Sequence, residues 1–401
     1  MLLISSGCRS RTLARIEPAA APRARVQSPA SDYFILVASE ASDKISRVRY
    51  GPDGISIERE TAIGTNPVHI NGPHGVAFSP DRRFFYVTTG HGTPFGSLWK
   101  YATESDSLIA RVTLGLFPAT VHVTPDGALA YVVNFNLHGP HERSSVSIVS
   151  TDEMVEIARV PTCVMPHGSR LNLQGTKHYS ACMMDDVLVE IDAQTLAVAR
   201  HFVVTAGKEH GAAGSPSRMS SVRASDHAHG DESPGASAAA TPGACSPTWA
   251  QPSVDGTHVF VACNASNEIV DVDAARWTLS RRLPAGNGVY NLAVTPDGQR
   301  LVATNKRDQS VSVFDVASGR ELARIRTTRR IVHGVVVSPD SRYAFVSAEG
   351  VGAEPGAVNV IDLATFAVVA SADVGLMAGG IDFWKVEPGS HVGIVRPWKT
   401  P

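Results

Sequence analysis

The sequence predicts an all-β protein in which short strands form one closed ring of similar sheets, and three observations predict it. A short motif recurs along the chain at nearly constant spacing. Within each repeat, runs of alternating apolar and polar residues are separated by Asp, Gly, Pro and Ser turn signals, as expected for antiparallel strands. The first and last repeats are incomplete in complementary ways, so that together they supply one whole unit.

The repeat sets the size of each unit. Its seven copies begin, in chain order, with "PHGVAFSPD" at Pro73, "PATVHVTPD" at Pro118, "PHGSRLNLQ" at Pro166, "PTWAQPSVD" at Pro247, "VYNLAVTPD" at Val289, "VHGVVVSPD" at Val332 and a degenerate "AGGIDFWKV" at Ala378. Successive starts lie 45, 48, 81, 42, 43 and 46 residues apart, and the long interval carries an insertion. The other intervals match the period of a four-stranded propeller blade.

The strands of a blade can be followed in the first repeat. It contains "VAFSPD", "FFYVTT", "SLWKYA" and "LIARVTLG", which we label a, b, c and d from the central channel outward. Residues 32–64 supply b, c and d without an a, whereas the C-terminal "GGIDFWKV" supplies an a with nothing after it. Pairing these strands closes the ring and removes open sheet edges. The prediction is a seven-bladed β-propeller of four-stranded blades, closed by N-terminal strands that pair with the C-terminal strand.

The second strand of several repeats carries a recurring string. Examples are "FYVTT" at 85–89, "YVVN" at 131–134, "FVACN" and "VATN" at 302–305, accompanied by the recurring "SPD" and "TPDG". These strings resemble the repeats of the YVTN-type β-propeller family from residue 32 to about residue 385. The resemblance implies the fold but no single activity, because propellers host many unrelated functions. The Trp-Asp and Gly-His signatures of WD40 repeats are missing, which disfavours that class.

The composition is that of a globular protein without a nucleic-acid surface. The chain is 43% hydrophobic and 18% charged, which provides enough apolar material for a large core. Its formal net charge of −2 gives no basic surface for nucleic acid. No apolar run approaches the length of a membrane span.

The first 31 residues are predicted to be a leader or tether, and the propeller to occupy residues 32–401. The stretch from Ile4 to Cys8 resembles a bacterial lipobox, where a small residue precedes a Cys that is cleaved and lipidated. Ser5 stands where Leu is usual, and the apolar stretch before Cys8 is short for a signal peptide. We therefore expect an exported protein with a clipped leader, periplasmic or extracellular, whose membrane contact would be a lipid on Cys8.

An insertion at residues 206–245 separates the third and fourth repeats. Its Ser/Ala/Gly/Pro composition cannot build a core, so we expect it to be flexible. Its position predicts a flap over the channel mouth that carries His210, His227 and His229. Long loops of this kind in compact domains are usually functional lids or linkers.

Equivalent positions of the repeats form rings around the channel. Ring one is the second residue of each repeat: His74, Ala119, His167, Thr248, Tyr290, His333 and Gly379. Ring two lies sixteen residues after each start: Thr89, Asn134, Cys182, Cys263, Asn305 and Ala348, with Ser39 as the seventh member. Both rings are expected on the face that carries the d–a and b–c loops, because strand a begins there and strand b ends there. Three histidines of ring one are therefore predicted to face one channel mouth.

Soft and borderline metal ligands are concentrated on this face. The candidate ligands are His74, His167, His333, Cys182, Cys245, Cys263 and Met165, which suit copper, or zinc if only nitrogen and sulfur ligands bind. The sequence has no CxxC or HExxH spacing. Alternatively, the four cysteines other than Cys8 form disulfides, with Cys182–Cys263 or Cys163–Cys245 as the natural pairs. A third interpretation is that the histidines cap backbone groups and the cysteines are small buried hydrophobes.

The same face offers candidates for ligand binding and hydrolysis. The ligand-binding candidates are His74, His167, His333, Trp249, Tyr290, Asn291, Arg170, Glu349 and Asp185. The entry "GPHGVAFSPD" resembles the blade entry of seven-bladed lactonases, which implies that Glu349, Asp185, Glu268, His74 and Arg170 would furnish a general base and an oxyanion partner. No Ser nucleophile elbow is present.

A tetrapyrrole is a further alternative. The channel-facing histidines resemble those of haem d1 propellers, in which Trp249 and Tyr290 would stack on a planar group. The chain has no CxxCH for covalent haem. The sequence thus predicts a propeller that binds a ligand or partner through the mouth face, with a lactonase-like hydrolase or a haem d1-type protein as alternatives. A rigid disc with variable loops also suits protein contacts.

Overall fold

The computed structural model describes residues 28–66, 68–91, 94–216 and 244–389 and shows the predicted seven-bladed propeller. We number blades one to six from the repeats that begin at Pro73 to Val332 and call the composite sheet blade seven. Strand a is innermost, because strands a of neighbouring blades contact one another. In the described ranges the only helical segment is a 3₁₀ turn at Glu40–Ser42, and no helix there is long and apolar enough to span a bilayer.

The strands follow the predicted a to d order. Blade seven contains β1 (Ser31–Ser39), β2 (Lys44–Gly51), β3 (Gly54–Ala62) and, from the far end of the chain, β29 (Ala378–Pro388). Blade one contains β4 (Pro73–Phe78), β5 (Phe84–Thr89), β6 (Ser97–Ala102) and β7 (Leu108–Thr113). Blade two contains β8 (Pro118–Val123), β9 (Leu129–Asn134), β10 (Arg143–Ser150) and β11 (Val155–Val164).

The remaining four blades complete the ring. Blade three contains β12 (Pro166–Leu171), β13 (Lys177–Cys182), β14 (Val187–Asp192), β15 (Ala197–Val203) and β16 (His210–Ala213). Blade four contains β17 (Pro247–Pro252), β18 (His258–Cys263), β19 (Glu268–Asp273) and β20 (Thr278–Pro284). Blade five contains β21 (Val289–Val294), β22 (Arg300–Asn305), β23 (Ser310–Asp315) and β24 (Glu321–Arg326). Blade six contains β25 (Ile331–Val337), β26 (Tyr343–Glu349), β27 (Gly356–Asp362) and β28 (Ala367–Val374).

The ring closes through the pairing that the sequence predicts. Strand β1 pairs antiparallel with β29, placing Tyr33 opposite Val386 and Ser39 opposite Ala378. The other edge of β1 pairs with β2. Blade seven is therefore assembled from both ends of the propeller, and its first strand begins within one residue of the predicted boundary.

The apolar core lies between neighbouring blades. Tyr179 and Leu188 of blade three, for example, pack in one cluster with Val259 and Val270 of blade four. This follows from the pattern of the inner strands, because successive side chains of a strand point to opposite faces of the sheet. Each blade thus presents an apolar face to the blade on either side.

The innermost strands approach one another closely, and glycine permits this approach. A Cβ atom on Gly75 would lie 2.2 Å from the carbonyl oxygen of Ala119, and one on Gly380 would lie 2.1 Å from that of His74. Thr88 Oγ1 also donates a hydrogen bond to the carbonyl of Ala119, which joins blade one to blade two. These contacts narrow the channel and fix the residues at the start of each strand a.

The start of the insertion, which was predicted to be flexible, forms a short strand. Strand β16 pairs with β15 as a fifth strand at the outer edge of blade three. Two contacts with blade four hold it there: Glu209 pairs with Arg282, and Gly211 packs against Trp277. The first part of the insertion, including His210, therefore extends the outer edge of a blade instead of covering the channel. His227 and His229 lie outside the described residues, as does Cys8.

Two disulfides form, and both predicted pairings are wrong. Cys163 is joined to Cys182, and Cys245 to Cys263. The reason lies in the strand register, because the first residue of strand a pairs with the last residue of strand b in the same blade. A cysteine just before strand a thus lies beside a cysteine that ends strand b. All four cysteines are fully buried.

Candidate functional site

Three histidines of ring one lie together at the channel mouth. The ring centroid of His74 is 5.9 Å from that of His167 and 5.7 Å from that of His333. They come from the first residues of the innermost strands of blades one, three and six. His167 and His333 are almost fully buried, whereas His74 remains partly exposed. His74 is therefore the ring-one histidine that solvent or a ligand reaches most easily.

Glu40 connects two mouth histidines across the junction of blades seven and one. Its carboxylate accepts a hydrogen bond from His74 Nδ1 at 2.8 Å and another from His91 Nε2. Burial favours a raised pKa for Glu40, but the charges and hydrogen bonds of His74 and His91 outweigh it and hold the pKa well below its usual range. The hydrogen bond to Glu40 in turn raises the pKa of His91. The carboxylate therefore stays ionised between its two imidazoles.

His167 is held in one neutral tautomer. Burial, with a smaller contribution from His74, lowers its pKa to about 3. Its Nδ1 donates to the carbonyl of Thr248 at 3.0 Å, so Nε2 carries the lone pair and accepts the phenol proton of Tyr290 at 3.1 Å. Both ring nitrogens are thus occupied inside the protein.

His333 lies beside an acid–base pair from blades five and six. Its Nε2 is 3.8 Å from Glu349 Oε1, and Lys306 Nζ is 3.4 Å from the same oxygen. Lys306 also lies over the ring of Tyr290, 4.6 Å from the centroid. Burial and, to a smaller degree, Lys306 lower the pKa of His333 well below its ordinary value. One side of the mouth thus presents a neutral imidazole, a carboxylate and an ammonium group.

Aromatic side chains of blade two enclose the opposite side of the mouth. Phe117 makes edge contacts with His74 and His91, at centroid distances of 5.5 and 5.0 Å. Phe135 lies 4.7 Å from His167 in the same way. These rings fix the orientation of the imidazoles and surround the polar groups with apolar surface.

The three histidines share a small cavity with other side chains of the inner strands. The guanidinium of Arg170 stacks on Trp249, with 4.6 Å from Cζ to the ring centroid. These two side chains and Asn291 line the same cavity as the three histidines, and about 30 Å³ of it is open to the centres of water molecules. That volume holds about two waters. A haem d1-type group would have no room inside the channel and would need to lie on the outer face.

Two predicted acids make contacts elsewhere. Asp185 accepts a hydrogen bond from the Val164 amide at 2.8 Å, in the loop beside a disulfide. Glu268 forms an ion pair with Arg282 at 2.5 Å. Among the contacts of the described residues, none joins either acid to the mouth histidines. The structure therefore brings Glu349 to the cluster and leaves Asp185 and Glu268 in their loops.

The predicted set of metal ligands is wrong in its three cysteines. Cys182, Cys245 and Cys263 are disulfide-bonded and have no thiolate to offer. Met165 packs in a small apolar cluster with Phe117. Across the described ranges, no group of three or more His, Cys, Asp or Glu side chains is arranged to hold a metal ion.

Sequence reasoning missed Glu40 and Lys306, although the repeat contains a signal for both. Each directly follows a ring-two position, as do Glu349 and Phe135. Strand b ends at ring two, so the next residue opens the b–c loop on the mouth face. A third ring, one residue beyond ring two, would have identified the charged partners of the histidines.

The arrangement can bind polar groups and can also move a proton. Glu40 binds Nδ1 of His74, so the neutral form of this imidazole would present its lone pair at Nε2, as required of a general base. The ammonium of Lys306 is placed to stabilise negative charge nearby. The same groups can hold hydroxyl or acidic groups of a ligand without any reaction.

Comparisons with known proteins place the fold. No protein-family model matches the chain, and no curated protein sequence matches it. Hydrazine synthase of Kuenenia stuttgartiensis is similar in structure, with 17% identity, a TM-score of 0.58, and coverage of 80% of this chain and 92% of that one. A protein of Bacteroides fragilis proposed to be a 6-phosphogluconolactonase has 12% identity and a TM-score of 0.62 over 92% of this chain and 100% of its own. A Bacteroides uniformis protein of the same proposed activity has 13% identity and a TM-score of 0.63, over 88% of this chain and 99% of its own. At these identities the similarity shows the propeller fold alone.

Proposed function

We propose that the protein is an exported YVTN-type propeller that binds a small polar ligand at its channel mouth. The observation that carries the proposal is the state of His74: Glu40 holds its Nδ1, and no hydrogen bond within the described residues engages its Nε2. The Lys306–Glu349 pair adds charged groups at the same opening. A few fixed polar groups framed by apolar side chains are typical of small-molecule sites.

Export is supported by the two buried disulfides, because such bonds persist in oxidising compartments and are rare in the cytosol. The test is intact mass after denaturation and alkylation without reductant, on protein isolated from its own cells. We expect no adduct on Cys163, Cys182, Cys245 or Cys263. Alkylation of all four would contradict export.

Ligand binding is tested by isothermal titration with a panel of small sugars, hydroxy acids and amino acids. We expect at least one compound to bind the native protein and to lose about tenfold in affinity, or about 1.4 kcal/mol, in a His74→Ala variant. His258→Ala is the matched control, because His258 pairs with Asp271 at the start of a strand b and so lies away from the mouth. A ligand that binds the native protein and His74→Ala equally would place the site elsewhere.

A lactonase-like hydrolase is the second candidate. It is favoured by the Glu40–His74 pair and by the similarity in fold to the two Bacteroides proteins proposed to be 6-phosphogluconolactonases. His74 Nε2 would take a proton from the attacking water, and Lys306 would stabilise the oxyanion that forms on the carbonyl oxygen. The tetrahedral intermediate would then collapse with cleavage of the ring C–O bond, and the ring oxygen would leave with the proton that His74 took from the water. The lactone would lie on the mouth surface, since the channel below is too narrow for a sugar ring.

One measurement separates the two candidates: acid release from δ-gluconolactone, followed by pH-stat in the presence of a chelator. Turnover above the uncatalysed rate, lost in His74→Ala and reduced in Glu349→Gln, assigns the mouth to hydrolysis. Lactone binding without turnover assigns it to ligand binding. If neither occurs and the titration panel gives no ligand, a protein partner at this face becomes the favoured function.

A further inference from the structure

Arg170 carries an isolated positive charge inside the channel. It lies on β12, three residues after His167, and helps to line the cavity below the histidines. Its guanidinium stacks on Trp249, and Nη1 donates to the carbonyl of Ser169 at 3.1 Å. No carboxylate of the described residues lies within ion-pair distance of it. This distinguishes it from Lys306, which pairs with Glu349.

Asp382 is the acid that acts on Arg170 through space, without a direct ion pair between them. Its oxygens accept hydrogen bonds from the amides of Phe78 and Phe383. Burial raises the pKa of Asp382, whereas Arg82 and the two amides act to lower it. Burial also lowers the pKa of Arg170, to about 10, and the guanidinium remains charged at neutral pH. The guanidinium, which is partly exposed to the channel, thus has no carboxylate in direct contact to balance its charge.

Neighbouring histidines respond to this charge. Burial, followed by the charge of Arg170, lowers the pKa of His122 to about 3 and that of His178 to about 3. Both are therefore neutral at neutral pH and add no positive charge of their own.

The wall beside Arg170 also has a hydrogen-bond donor without an acceptor. Trp249 is 5% exposed, and its indole Nε1 has no hydrogen-bond partner among the described residues. An indole N–H and a guanidinium can only donate hydrogen bonds. The indole nitrogen is itself buried from solvent, so the guanidinium of Arg170 is the donor that this wall offers to a ligand.

We propose that the channel below the three histidines binds a small anion, a carboxylate or an ion of similar size, against Arg170 and Trp249. The volume open to water centres, about 30 Å³, suits formate, bromide or the carboxylate end of a larger molecule. Binding would give the guanidinium of Arg170 a negatively charged partner through a charge-assisted hydrogen bond. The site requires neither His74 nor Glu40, so it stands whether or not the proposed function is right.

The test uses sodium formate and sodium bromide with the full chain. We expect formate to raise the Tm of the native protein in a saturable manner, as for a ligand that binds only the folded state. The rise should be lost in Arg170→Met and weakened in Trp249→Phe, which offers the guanidinium a smaller ring to stack on. Arg276→Gln, at an arginine that is 80% exposed, should respond like the native protein.

Crystals soaked in bromide provide the second readout. We expect an anomalous peak in the channel beside Arg170, which also tests the proposal if Arg170→Met fails to fold. Bromide peaks elsewhere with none in the channel, together with an unchanged formate response in Trp249→Phe, would overturn it.

Competition identifies the source of the anion. If gluconate displaces formate and depends on His74, the anion is the acidic end of a ligand held at the mouth. If formate binds equally well in His74→Ala and no panel compound displaces it, the site takes a free anion. Both results support the channel site, and neither depends on lactone hydrolysis.

Discussion

Glu40 Oε2 lies 2.8 Å from Nδ1 of His74, and this contact joins blade seven to blade one. Glu40 follows β1, the strand that pairs with β29 from the other end of the propeller. The mouth cluster is therefore complete only when the ring has closed. The candidate site and the closure of the ring therefore share one residue, Glu40.

Glu40→Gln should destabilise the protein by about 1–3 kcal/mol, because two imidazoles lose a buried charged acceptor. Glu40 is 9% exposed, so solvent compensates little for the loss. The measurement is urea unfolding at neutral pH. Glu60→Gln is the control, since the Lys44–Glu60 pair is about 40% exposed on both sides and should contribute less than about 1 kcal/mol.

The Glu40–His91 contact should give a defined pH dependence. The pKa of His91 is raised, so its contribution to stability is fully present below about pH 6.5 and is lost as pH rises through the raised value. The pKa of Glu40 is lowered, so the carboxylate remains ionised through the weakly acidic range. The difference in unfolding free energy between native protein and His91→Gln should therefore be largest near pH 6 and shrink towards pH 9. A difference that grows with pH would contradict the pairing.

Removing one disulfide by Cys245→Ala with Cys263→Ala should cost about 3 kcal/mol, since the bond closes a loop of moderate length. The cysteines are 18 residues apart in the sequence. Guanidinium unfolding measures the loss. The corresponding Cys163→Ala with Cys182→Ala variant spans 19 residues and should lose a similar amount. Unchanged stability in both would argue against the bonds.

Gly380→Ala should destabilise the inner ring by about 1–3 kcal/mol through overpacking. The new Cβ would lie 2.1 Å from the backbone carbonyl of His74, which cannot rotate away. Gly139→Ala is the control, because the Cβ there meets the side chain of Asn136, which can move. Thermal unfolding of both variants should show the larger loss for Gly380→Ala.

The sequence was sufficient for the ring and its closure, because strand order follows from the repeat and the missing strand a is visible at the C-terminus. It was insufficient for the disulfides. Equivalent positions such as Cys182 and Cys263 are separated by a whole blade, whereas the partner of each cysteine depends on the register within one sheet. The composition of the insertion indicated a flexible loop, but its start forms β16. This strand pairs with β15, and its Gly211 packs against Trp277.

For the candidate site, position in the repeat was more informative than residue type. The histidines of ring one meet because strands a converge. Cys182 was singled out for its ligand chemistry, but a buried disulfide uses it. Glu40 lies in the N-terminal segment that lacks a strand a, so no repeat start marks its position. It nevertheless occupies the same place as Lys306 and Glu349 in their repeats.

The pairing of β1 with β29 also sets an order of events during synthesis. The ribosome releases Ser31–Ser39 before any of the six intervening blades, whereas the partner strand Ala378–Pro388 follows all of them. Until β29 has been synthesised, one edge of β1 remains unpaired, and the mouth cluster that contains Glu40 is incomplete. A chain that stalls before Ala378 would carry six complete blades and an open seam, which makes that seam the place where a holding chaperone would be needed.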